Sequence, residues 1–539
     1  MCSIFGYFNY KEDIETLKNA SLMMKHRGPD SSNYYIDENL FLGHNRLAII
    51  DLDKRADQPF VYEDLVLVFN GEIYNYKELR KNYLKEFNFK TDSDTETIIL
   101  MYKKFGKECV KYFRGMFAFC IYDKRKKEFF CVRDRVGEKP FYYYLDKDKF
   151  IFASEINPIK KFVDTAFNEK ATPLYYSSFK HFPAPFSVYN EISKLEPASY
   201  IIVKDNKVVE KDFYWDLNVG NYKKVSKEEV REKVIEAIKY TTVADVKIAL
   251  LLSGGVDSSV IAYVLKSLGV DFLAFAFGKD EKDEELKRAR LVAKYLDIPL
   301  KEITFSEGDL EIHKMLIKAY GEPIYLLPLI FAYKLYKEIA KYNIKVVLSG
   351  NGADELFFGY VSHPKTALFS YFHKIFRFKS NVEIKKKRIY ESMFKKDKAI
   401  LDEIFNNYKK ITDRFERNYY IDFTNFFALF LEGALPMTII GDLCGMLNSI
   451  EVRNPFFDYE LIEFAYNIHP HQKIGNYFSK DGRGLKKILK EAFYENLPKE
   501  VFEAKKIGFG GNVRERMIFG DDGVRKFSEW AMDVFKGNG

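Results

Sequence analysis

A short apolar strand, a double-glycine turn and an apolar-striped helix follow one another in residues 247–268 (KIALLLSGGVDSSVIAYVLKSL). The runs at 271–278 (DFLAFAFG) and 343–352 (NIKVVLSGNG) contain further continuous apolar strands, and the second of them again ends in a glycine turn. Continuous apolar strands that alternate with helices predict a parallel sheet covered by helices on both faces. We therefore expect a doubly wound α/β fold in the C-terminal half, with helical additions at 361–440, where no strand pattern is found.

The N-terminal 215 residues have a different pattern, in which short strands are separated by turns. We predict strands at 41–42, 65–69, 116–122, 129–133, 141–144 and 150–153, and helices near 13–25 and 95–105. This pattern predicts an α+β domain with mostly antiparallel strands. We place the first domain at 1–215, a linker at 216–226 and the second domain at 227–539. Ser226 and Glu229 have the spacing of a capping box at the start of that domain's first helix.

The stretch SGGVDSS, which begins at Ser253, has the chemistry of an anion site. Gly254 and Gly255 let the backbone approach an anion closely, and Ser258 adds a hydroxyl donor at a helix N-terminus, which favours negative charge. It is not a Walker loop, because no GK[ST] follows. Asp257 would repel phosphate unless a divalent cation lay between them, so the sequence predicts Mg²⁺.

A second glycine turn, SGNGADELFFGY, begins at Ser349 and follows another predicted parallel strand. Because the carboxyl ends of parallel strands meet at one edge of a sheet, we expect both turns at the same edge. Asp354 is a candidate second carboxylate on the metal or pyrophosphate side. The alternative is that Asp354 is an ordinary acidic partner of the helix dipole in a first turn.

Composition and charge exclude several classes of function. A net charge of +7 from 85 basic and 78 acidic residues is too weak an excess for nucleic-acid binding. No uninterrupted apolar stretch approaches the length that spans a bilayer. Five scattered Cys, without a CxxC or a Cys/His cluster, argue against structural zinc and predict a reducing, cytoplasmic location. We expect no nucleic-acid or membrane partner, and leave a homodimer open.

The chain begins MCSIFGYF, with Cys2 directly behind the initiator Met. Removal of Met1 would give Cys2 a free α-amine beside its thiol, and such an amine can act as a general base. The other interpretation is a chance cysteine at position 2, and these eight residues alone leave both open.

The motifs of the C-terminal half resemble those of glutamine-hydrolysing asparagine synthetases, and the resemblance covers nearly the whole chain. SGGVDSS, SGNGADE, EVRNPFFD (451–458) and GLKKILKEAF (484–493) are similar to motifs of the family's ATP-pyrophosphatase domain, which adenylates a carboxylate. The resemblance implies that Mg²⁺ is held by Asp257 and Asp354, and that Lys486 faces the phosphate chain and the reacting centre. It also implies ATP contacts at Leu252, Ser253, Gly254, Gly255, Asp257, Ser258, Phe277, Ser349 and Gly350.

MCSIFGYF, HRGPD (26–30), LGHNRLAIID (42–51), FNGEIYNY (69–76) and SDTE (93–96) resemble the class II glutamine amidotransferase domain, in which helices sandwich two antiparallel sheets. The resemblance implies that Cys2 is the nucleophile and that its own α-amine, rather than His26 or His44, is the base. It assigns the oxyanion donors to the side chain of Asn70 and the backbone N–H of Gly71. The implied glutamine pocket consists of Arg46, for the α-carboxylate, Asp94, for the ammonium, and Leu47, Ala48, Ile49, Ile50, Asn70, Gly71 and Glu72.

Together the two resemblances imply ATP-dependent amidation of L-aspartate to L-asparagine through a β-aspartyl-adenylate, with ammonia released from glutamine. The partners would be the small molecules glutamine, aspartate and ATP. The alternative is the same mechanism on another carboxylate, such as a peptide, a uronic acid or a natural-product precursor. The phosphoribosylamine- and hexosamine-forming amidotransferases share the N-terminal half. They lack SGGVDSS, so this class of enzyme is disfavoured. A non-catalytic regulator is disfavoured by the intact Asp257, Asp354 and Lys486.

Two residues depart from the family pattern. Asn351, which we count among the catalytic residues, stands where the family usually has Glu or Asp. An amide can donate and accept hydrogen bonds but cannot take up a proton near neutral pH. Either Glu355 takes that role, or ammonia arrives unprotonated and needs no base. We favour an amide that only orients the substrate or the nucleotide. Leu443 stands where many members have Arg, which alters the expected wall of the acceptor pocket.

Overall fold

The computed structural model describes residues 2–305, 309–376, 379–393, 395–432, 434–478, 484–504 and 523–537. The N-terminal part of these residues contains two sheets. Its strands are β1 (Ser3–Phe8), β2 (Ser31–Asp37), β3 (Leu40–Arg46), β4 (Phe60–Tyr62), β5 (Leu65–Ile73), β6 (Gly115–Asp123), β7 (Glu128–Arg133), β8 (Tyr142–Leu145), β9 (Phe150–Ala153), β10 (Ile192–Lys194), β11 (Ser199–Lys204) and β12 (Lys207–Phe213). Its helices are Ile14–Leu22, Tyr76–Tyr83, Asp94–Phe105, Ile156–Lys160 and Thr172–Tyr175, with 3₁₀ turns at Lys25–Arg27, Lys54–Ala56 and Gly106–Lys111.

The two N-terminal sheets are antiparallel and pack face to face, with strand orders β10-β8-β9-β1-β3-β2 and β12-β11-β7-β6-β5-β4. Alternate side chains of each strand point to opposite faces. Ile4 of β1 and Val66 of β5 therefore meet in the core between the sheets. Phe5 faces helix Ile14–Leu22, and Leu67 faces helix Asp94–Phe105. The predicted α+β arrangement, two antiparallel sheets between helices, is confirmed.

The C-terminal part is built on a five-stranded parallel sheet of order β15-β14-β13-β16-β17. Its strands are β13 (Ile248–Leu251), β14 (Phe272–Gly278), β15 (Leu300–Thr304), β16 (Val346–Leu348) and β17 (Glu451–Arg453). Both faces are buried under helices, as the continuous apolar strands predict. Because β13 and β16 are neighbours, both glycine turns leave the same edge of the sheet. The predicted doubly wound fold is confirmed.

Helices make up most of the remaining C-terminal residues. Their bounds are Lys227–Thr241, Val256–Ser267, Glu284–Leu296, Leu310–Tyr320, Pro328–Ala340, Ala353–Phe357, His363–Phe376, Asn381–Ser392, Lys398–Asn407, Lys409–Thr412, Tyr420–Phe427, Ala434–Met446, Tyr459–Tyr466, Pro470–Lys473, Lys487–Phe493, Lys499–Glu503 and Gly523–Lys536. The described residues of 361–440 contain helices and no strand, as predicted. Ser226 and Glu229 form the predicted capping box before Lys227–Thr241. None of the helices described is long and apolar enough to cross a membrane.

The two parts of the chain meet across a boundary that buries charged side chains. Arg114, at the end of the turn before β6, donates to both carboxylate oxygens of Asp458 (2.6 and 2.8 Å). The guanidinium of Arg27 contacts Asp442 in the same bidentate way (2.8 and 3.0 Å). Two-point contacts of this kind fix orientation as well as distance.

Arg453, the last residue of β17, is fully buried at this boundary. Its Nε donates to Oε1 of Glu451 (2.6 Å), and its Nη1 donates to the carbonyls of Thr241 (2.8 Å) and Val243 (2.7 Å). Its Nη2 lies 3.8 Å from a carboxylate oxygen of Glu72 in β5. Burial works against the charge of Glu451, but Arg453 holds the pKa of that carboxyl below its usual value. Arg453 and Glu451 are therefore retained as an ionised pair.

The variant Arg453→Met should lower the free energy of unfolding by about 3–5 kcal/mol, because it leaves buried carboxylates without their counter-charge. Urea denaturation of both proteins measures the difference. The ionised carboxylate of Glu451 contributes fully to the free energy of unfolding above its ordinary pKa of 4.5. This contribution is lost as pH falls through the lowered pKa of Glu451 in the folded protein. As a control, Lys233→Met removes a half-exposed partner of Glu236 and should change stability by less than about 1 kcal/mol. Equal effects of the two changes would contradict the assignment.

Candidate active sites

Cys2 directly precedes β1, the strand that lies between β3 and β9. Its side chain is buried, its backbone N–H donates to Oδ1 of Asn70 (3.2 Å), and its carbonyl accepts from Nε of Arg27 (3.2 Å). Burial raises the pKa of the Cys2 thiol to about 11, although the N–H of Leu47 and the guanidinium of Arg46 oppose the rise. A thiol of this pKa is neutral near pH 7, so a base must take its proton before the sulfur can attack.

Strand β5 places Asn70 and Gly71 beside Cys2. Nδ2 of Asn70 is buried and has no hydrogen-bond partner among the residues that the structure describes. An unpaired buried donor is costly unless a ligand atom satisfies it, which fits the predicted role of Asn70 as an oxyanion donor. Gly71 has φ +142°, and a Cβ there would lie 2.0 Å from the carbonyl oxygen of Met116. Only glycine fits at this close approach of backbone to backbone.

The carboxyl groups of Glu72 and Asp94 are buried near the same strand. Asp94 begins helix Asp94–Phe105, and its Oδ2 accepts from the N–H of Ile73 (2.8 Å). Burial raises the pKa of Asp94 to about 6. Burial, with a contribution from Glu451, also raises the pKa of Glu72 well above its usual value. An ammonium group bound beside these carboxyls would favour their ionised forms, as the predicted glutamine pocket requires.

Arg46 ends β3 and uses its guanidinium within the chain. Nη1 donates to Oδ1 of Asp57 (2.7 Å) and to the carbonyl of Asp53 (2.8 Å), and Nη2 donates to the carbonyls of Ile50 and Asp51. With both terminal nitrogens engaged, a bidentate grip on a glutamine carboxylate requires at least one of these bonds to open. The role predicted for Arg46 therefore stays a prediction.

The segment 47–50 predicted to line the glutamine pocket is buried between the two parts of the chain. The N–H of Ala48 donates to Asp30 (2.7 Å), and the carbonyl of Ile49 accepts from the N–H of Asp245 (2.9 Å). Burial lowers the pKa of His44 to about 3, and its ring contacts the carbonyl of Phe69 (3.1 Å). An imidazole of this pKa is a weak base, in agreement with the expectation that His44 is structural.

The turn after β13 forms a compact set of donors at the start of helix Val256–Ser267. Gly254 has φ +70°, and a Cβ there would lie 2.5 Å from a backbone carbon of Arg288. The hydroxyls of Ser253 and Ser258 lie 3.1 Å apart, and the N–H of Gly255 donates to Ser253 (3.3 Å). The hydroxyls and the helix N-terminus together present the donors that the predicted phosphate site needs.

The remaining predicted ATP contacts lie at the same edge of the sheet. Leu252 follows β13, and Phe277 lies near the end of the neighbouring β14. Ser349 and Gly350 follow β16, and a Cβ at Gly350 would lie 3.0 Å from the Cβ of Asp257. The structure thus brings the residues of both glycine turns together.

Lys486 joins the two turns. Its Nζ lies 2.6 Å from each carboxylate oxygen of Asp257 and also contacts Asp354. Lys486 is buried, and although burial disfavours its charge, the two carboxylates raise its pKa above the usual value. Gly359 leaves the space for this contact, since a Cβ there would overlap Asp354 and Lys486. Three of the residues predicted from separate motifs thus form one charged group.

Asp257 and Asp354 suit a magnesium ion bound together with phosphate. Mg²⁺ is commonly held by one or two carboxylates, with substrate phosphates and waters as its other ligands. Both carboxylates contact the same ammonium group, so they lie close enough to flank one ion. The described residues contain no group of three or more His, Cys, Asp or Glu that could hold a metal. Asp257 and Asp354 by themselves would supply only part of the coordination of such an ion.

Asn351 belongs to a hydrogen-bond chain that crosses the boundary. Its Nδ2 donates to Oδ1 of Asn454 (3.1 Å), and Nδ2 of Asn454 donates to Oε2 of Glu138 (3.0 Å). Glu355, the alternative carboxylate considered from the sequence, instead accepts from the hydroxyl of Tyr360. Neither Asn454 nor Glu138 has a role predicted from the sequence. Asn454 lies within EVRNPFFD, but no pattern around Glu138 marks it.

A cavity of about 60 Å³ lies between the two parts of the chain. Its wall includes Arg27, which contacts the backbone of Cys2, and Glu138, the last member of the hydrogen-bond chain that begins at Asn351. Asp442 and Leu443 of helix Ala434–Met446 also line it. The cavity thus borders residues that are linked to each candidate site.

Comparison with known proteins agrees with this division into two sites. A family model described as a glutamine amidotransferase domain matches residues 1–215, and one described as asparagine synthase matches residues 229–534. Putative asparagine synthetase [glutamine-hydrolyzing] 2 of Methanocaldococcus jannaschii is 34% identical, covering 70% of this chain and 79% of its own. Asparagine synthetase [glutamine-hydrolyzing] 1 of Bacillus subtilis is 29% identical, covering 99% of this chain and 90% of its own. An amidase of Gibberella zeae, chry2, is 27% identical, covering 93% of this chain and 85% of its own.

The family matches correspond to the two parts of the fold. The amidotransferase match covers Cys2 and the two antiparallel sheets, and the other match covers the parallel sheet with the charged group at Lys486. The chain belongs to the asparagine synthase family, as a glutamine-dependent amidotransferase of the asparagine synthetase type.

Proposed function

We propose that this chain converts L-aspartate to L-asparagine, using ATP and ammonia taken from glutamine. We assign the amidotransferase domain to 1–215, the linker to 216–226 and the synthetase domain to 227–539. The observation that carries the proposal is the buried ammonium of Lys486 between Asp257 and Asp354, where the two glycine turns meet. Positive charge fixed in advance beside a phosphate site favours the departure of pyrophosphate.

In the first half-reaction, the α-amine of Cys2, freed by removal of Met1, takes the thiol proton as sulfur attacks the amide carbon of glutamine. The resulting oxyanion accepts hydrogen bonds from Nδ2 of Asn70 and the N–H of Gly71. The carbon–nitrogen bond then breaks, and the amine returns its proton to the departing ammonia. Water hydrolyses the thioester to glutamate and restores the thiol.

In the second half-reaction, a β-carboxylate oxygen of aspartate attacks the α-phosphorus of ATP, and pyrophosphate leaves. Lys486 stabilises the charge that develops on pyrophosphate, and the donors around Ser253 and Ser258 hold the phosphates. Mg²⁺, held by Asp257 and Asp354, would supply further charge neutralisation. Ammonia then attacks the acyl carbon, AMP leaves, and the attacking nitrogen loses one proton.

A second candidate is the same chemistry on a different carboxylate. Leu443, at a position where an arginine is expected from the family pattern, lines the boundary cavity rather than presenting a cation. Relatives of comparable identity include a protein named as an amidase as well as those named as asparagine synthetases. The two candidates share every step and differ only in the acid that is adenylated.

Product analysis separates the two candidates. The protein is incubated with Mg-ATP, glutamine and one acid at a time, and AMP, pyrophosphate and the amide product are quantified. With aspartate we expect asparagine and AMP in equal amounts. Formation of AMP and an amide from another acid, with no asparagine from aspartate, would favour the second candidate.

Cys2→Ala should abolish glutamine hydrolysis and glutamine-dependent amidation but preserve amidation with added ammonium, because the synthetase site contains none of the glutaminase groups. Retention of Met1 should have the same effect, since it blocks the α-amine. Glutamate release and AMP formation are measured separately. Cys120→Ala, which removes another buried thiol of the same domain, is the control and should keep both activities. Near-native glutamine hydrolysis by Cys2→Ala would exclude this nucleophile.

Asp257→Asn should eliminate Mg-dependent ATP–pyrophosphate exchange while glutamine hydrolysis continues. A neutral amide is a much poorer ligand for a hard cation, and it also removes one counter-charge of Lys486. The matched control is Asp271→Asn, an exposed residue just before β14, at the opposite edge of the sheet. Exchange that is unchanged in Asp257→Asn would refute the assigned metal and phosphate role.

A further inference from the structure

Glu138 is a buried carboxyl group that the reaction outlined above does not use. It lies in the turn after β7, which is held by the carboxylate of Asp134. Oδ1 of Asp134 accepts from the N–H groups of Val136 (3.1 Å), Gly137 (2.7 Å) and Glu138 (2.9 Å). Oδ2 accepts from the N–H of Lys139 (2.9 Å). The turn fixes the Glu138 side chain at the boundary cavity, with one oxygen on Asn454.

An ionised Glu138 fixes the donor-to-acceptor direction of the hydrogen bonds that connect it through Asn454 to Asn351. A carboxylate only accepts hydrogen bonds, so Asn454 must turn its NH₂ group towards Glu138. Its carbonyl oxygen then faces Asn351, which must in turn present its own NH₂ group. The carbonyl oxygen of Asn351 is left as the acceptor at the other end. This orientation follows from the charge at Glu138, whichever way the two amides are assigned.

We propose that Glu138 is a positioning residue for amide formation, holding Asn454 and through it Asn351 so that Oδ1 of Asn351 accepts a hydrogen bond from the attacking ammonia. The inference rests on the proposed function and assigns to the amidotransferase domain a group that serves the synthetase reaction. A protonated Glu138 can donate instead of accept, which removes the constraint on Asn454. Asn351 is then free to present its NH₂ group, which cannot accept from ammonia.

The surroundings of Glu138 determine when its carboxyl is ionised. Burial and the nearby charges of Asp134 and Glu451 raise the pKa of Glu138 to about 8, although Lys139 and the bond from Asn454 oppose the rise. The other charged groups that face the cavity are Arg27, Arg133, Glu155, Lys194 and Asp442. The ionised form thus increases as pH rises through about 8. At constant free ammonia, amidation should increase over the same range.

Glu138→Gln tests the charge with nearly the same shape. The glutamine can still accept one hydrogen bond from Asn454, so a purely structural role would survive the change. We expect ammonia-dependent amidation above pH 8 to fall roughly 10-fold, the size of a lost hydrogen bond to a charged group. The pH inflection near 8 should disappear. ATP–pyrophosphate exchange and glutamine hydrolysis should stay at wild-type rates, which also shows that the variant is folded. Glu460→Gln, a half-exposed boundary carboxylate not linked to Asn454, is the control and should behave as wild type.

A double-mutant cycle tests whether Glu138 acts through Asn351. The losses of Glu138→Gln and Asn351→Ala should not add, because both break one chain. Asn351→Ala alone should also lose the inflection near pH 8, which keeps the test available if Glu138→Gln fails to fold. Additive losses, an unchanged pH profile or an equal loss of ATP–pyrophosphate exchange would overturn the inference. A wild-type protein that forms no asparagine from aspartate would instead refute the proposed function.

Discussion

The buried guanidinium of Arg27 is the contact on which the arrangement of the two candidate sites depends. It donates to the backbone carbonyl of Cys2 on one side and to both oxygens of Asp442 (2.8 and 3.0 Å) on the other. Burial disfavours the charge, but Asp442 and Glu155 keep the pKa of Arg27 above its usual value. Separating a buried cation from its partner costs several kcal/mol. Cys2, the proposed nucleophile, and the helix Ala434–Met446 are therefore held in a fixed position relative to each other.

This fixed boundary suits the intermediate that the proposed reaction must transfer. Ammonia is small and neutral, so it can cross a buried space that an ammonium ion would enter only at high cost. Each cation on the cavity wall already has partners in the chain: Arg27 is paired with Asp442 and Lys194 with Glu322 (2.6 Å). Arg133 donates to the carbonyls of Gly137, Lys139 and Leu195. Charged groups that are already engaged with partners in the chain would bind ammonia only weakly. In the proposed reaction, such a boundary would stabilise the fold and bind ammonia only weakly.

The sequence predicted the fold well where local pattern decides structure and poorly where pairing does. The apolar strands β5, β6 and β13 carry their own signal. Strand β12 (KVVEKDF) is mostly exposed and exists because it pairs with β11, so its sequence marks it only weakly. Helix Tyr76–Tyr83 is similarly polar and is held by Arg80, whose guanidinium lies 3.9 Å from the ring of Phe89. Contacts between distant residues of this kind have no local signature.

The same distinction applies to the candidate sites. Glycine turns, caps and motif residues could be assigned to one edge of a sheet from sequence, because strand order and direction place them there. Asn351, considered by itself, suggests a lost carboxylate. In the folded protein, hydrogen bonds through Asn454 connect Asn351 to Glu138. Glu138 is held in place by the turn around Asp134 in the N-terminal part of the chain. A charge supplied across a domain boundary leaves no mark in the motif that it serves. Whether such a motif has lost a chemical group therefore has to be judged on the hydrogen-bond network rather than on one position.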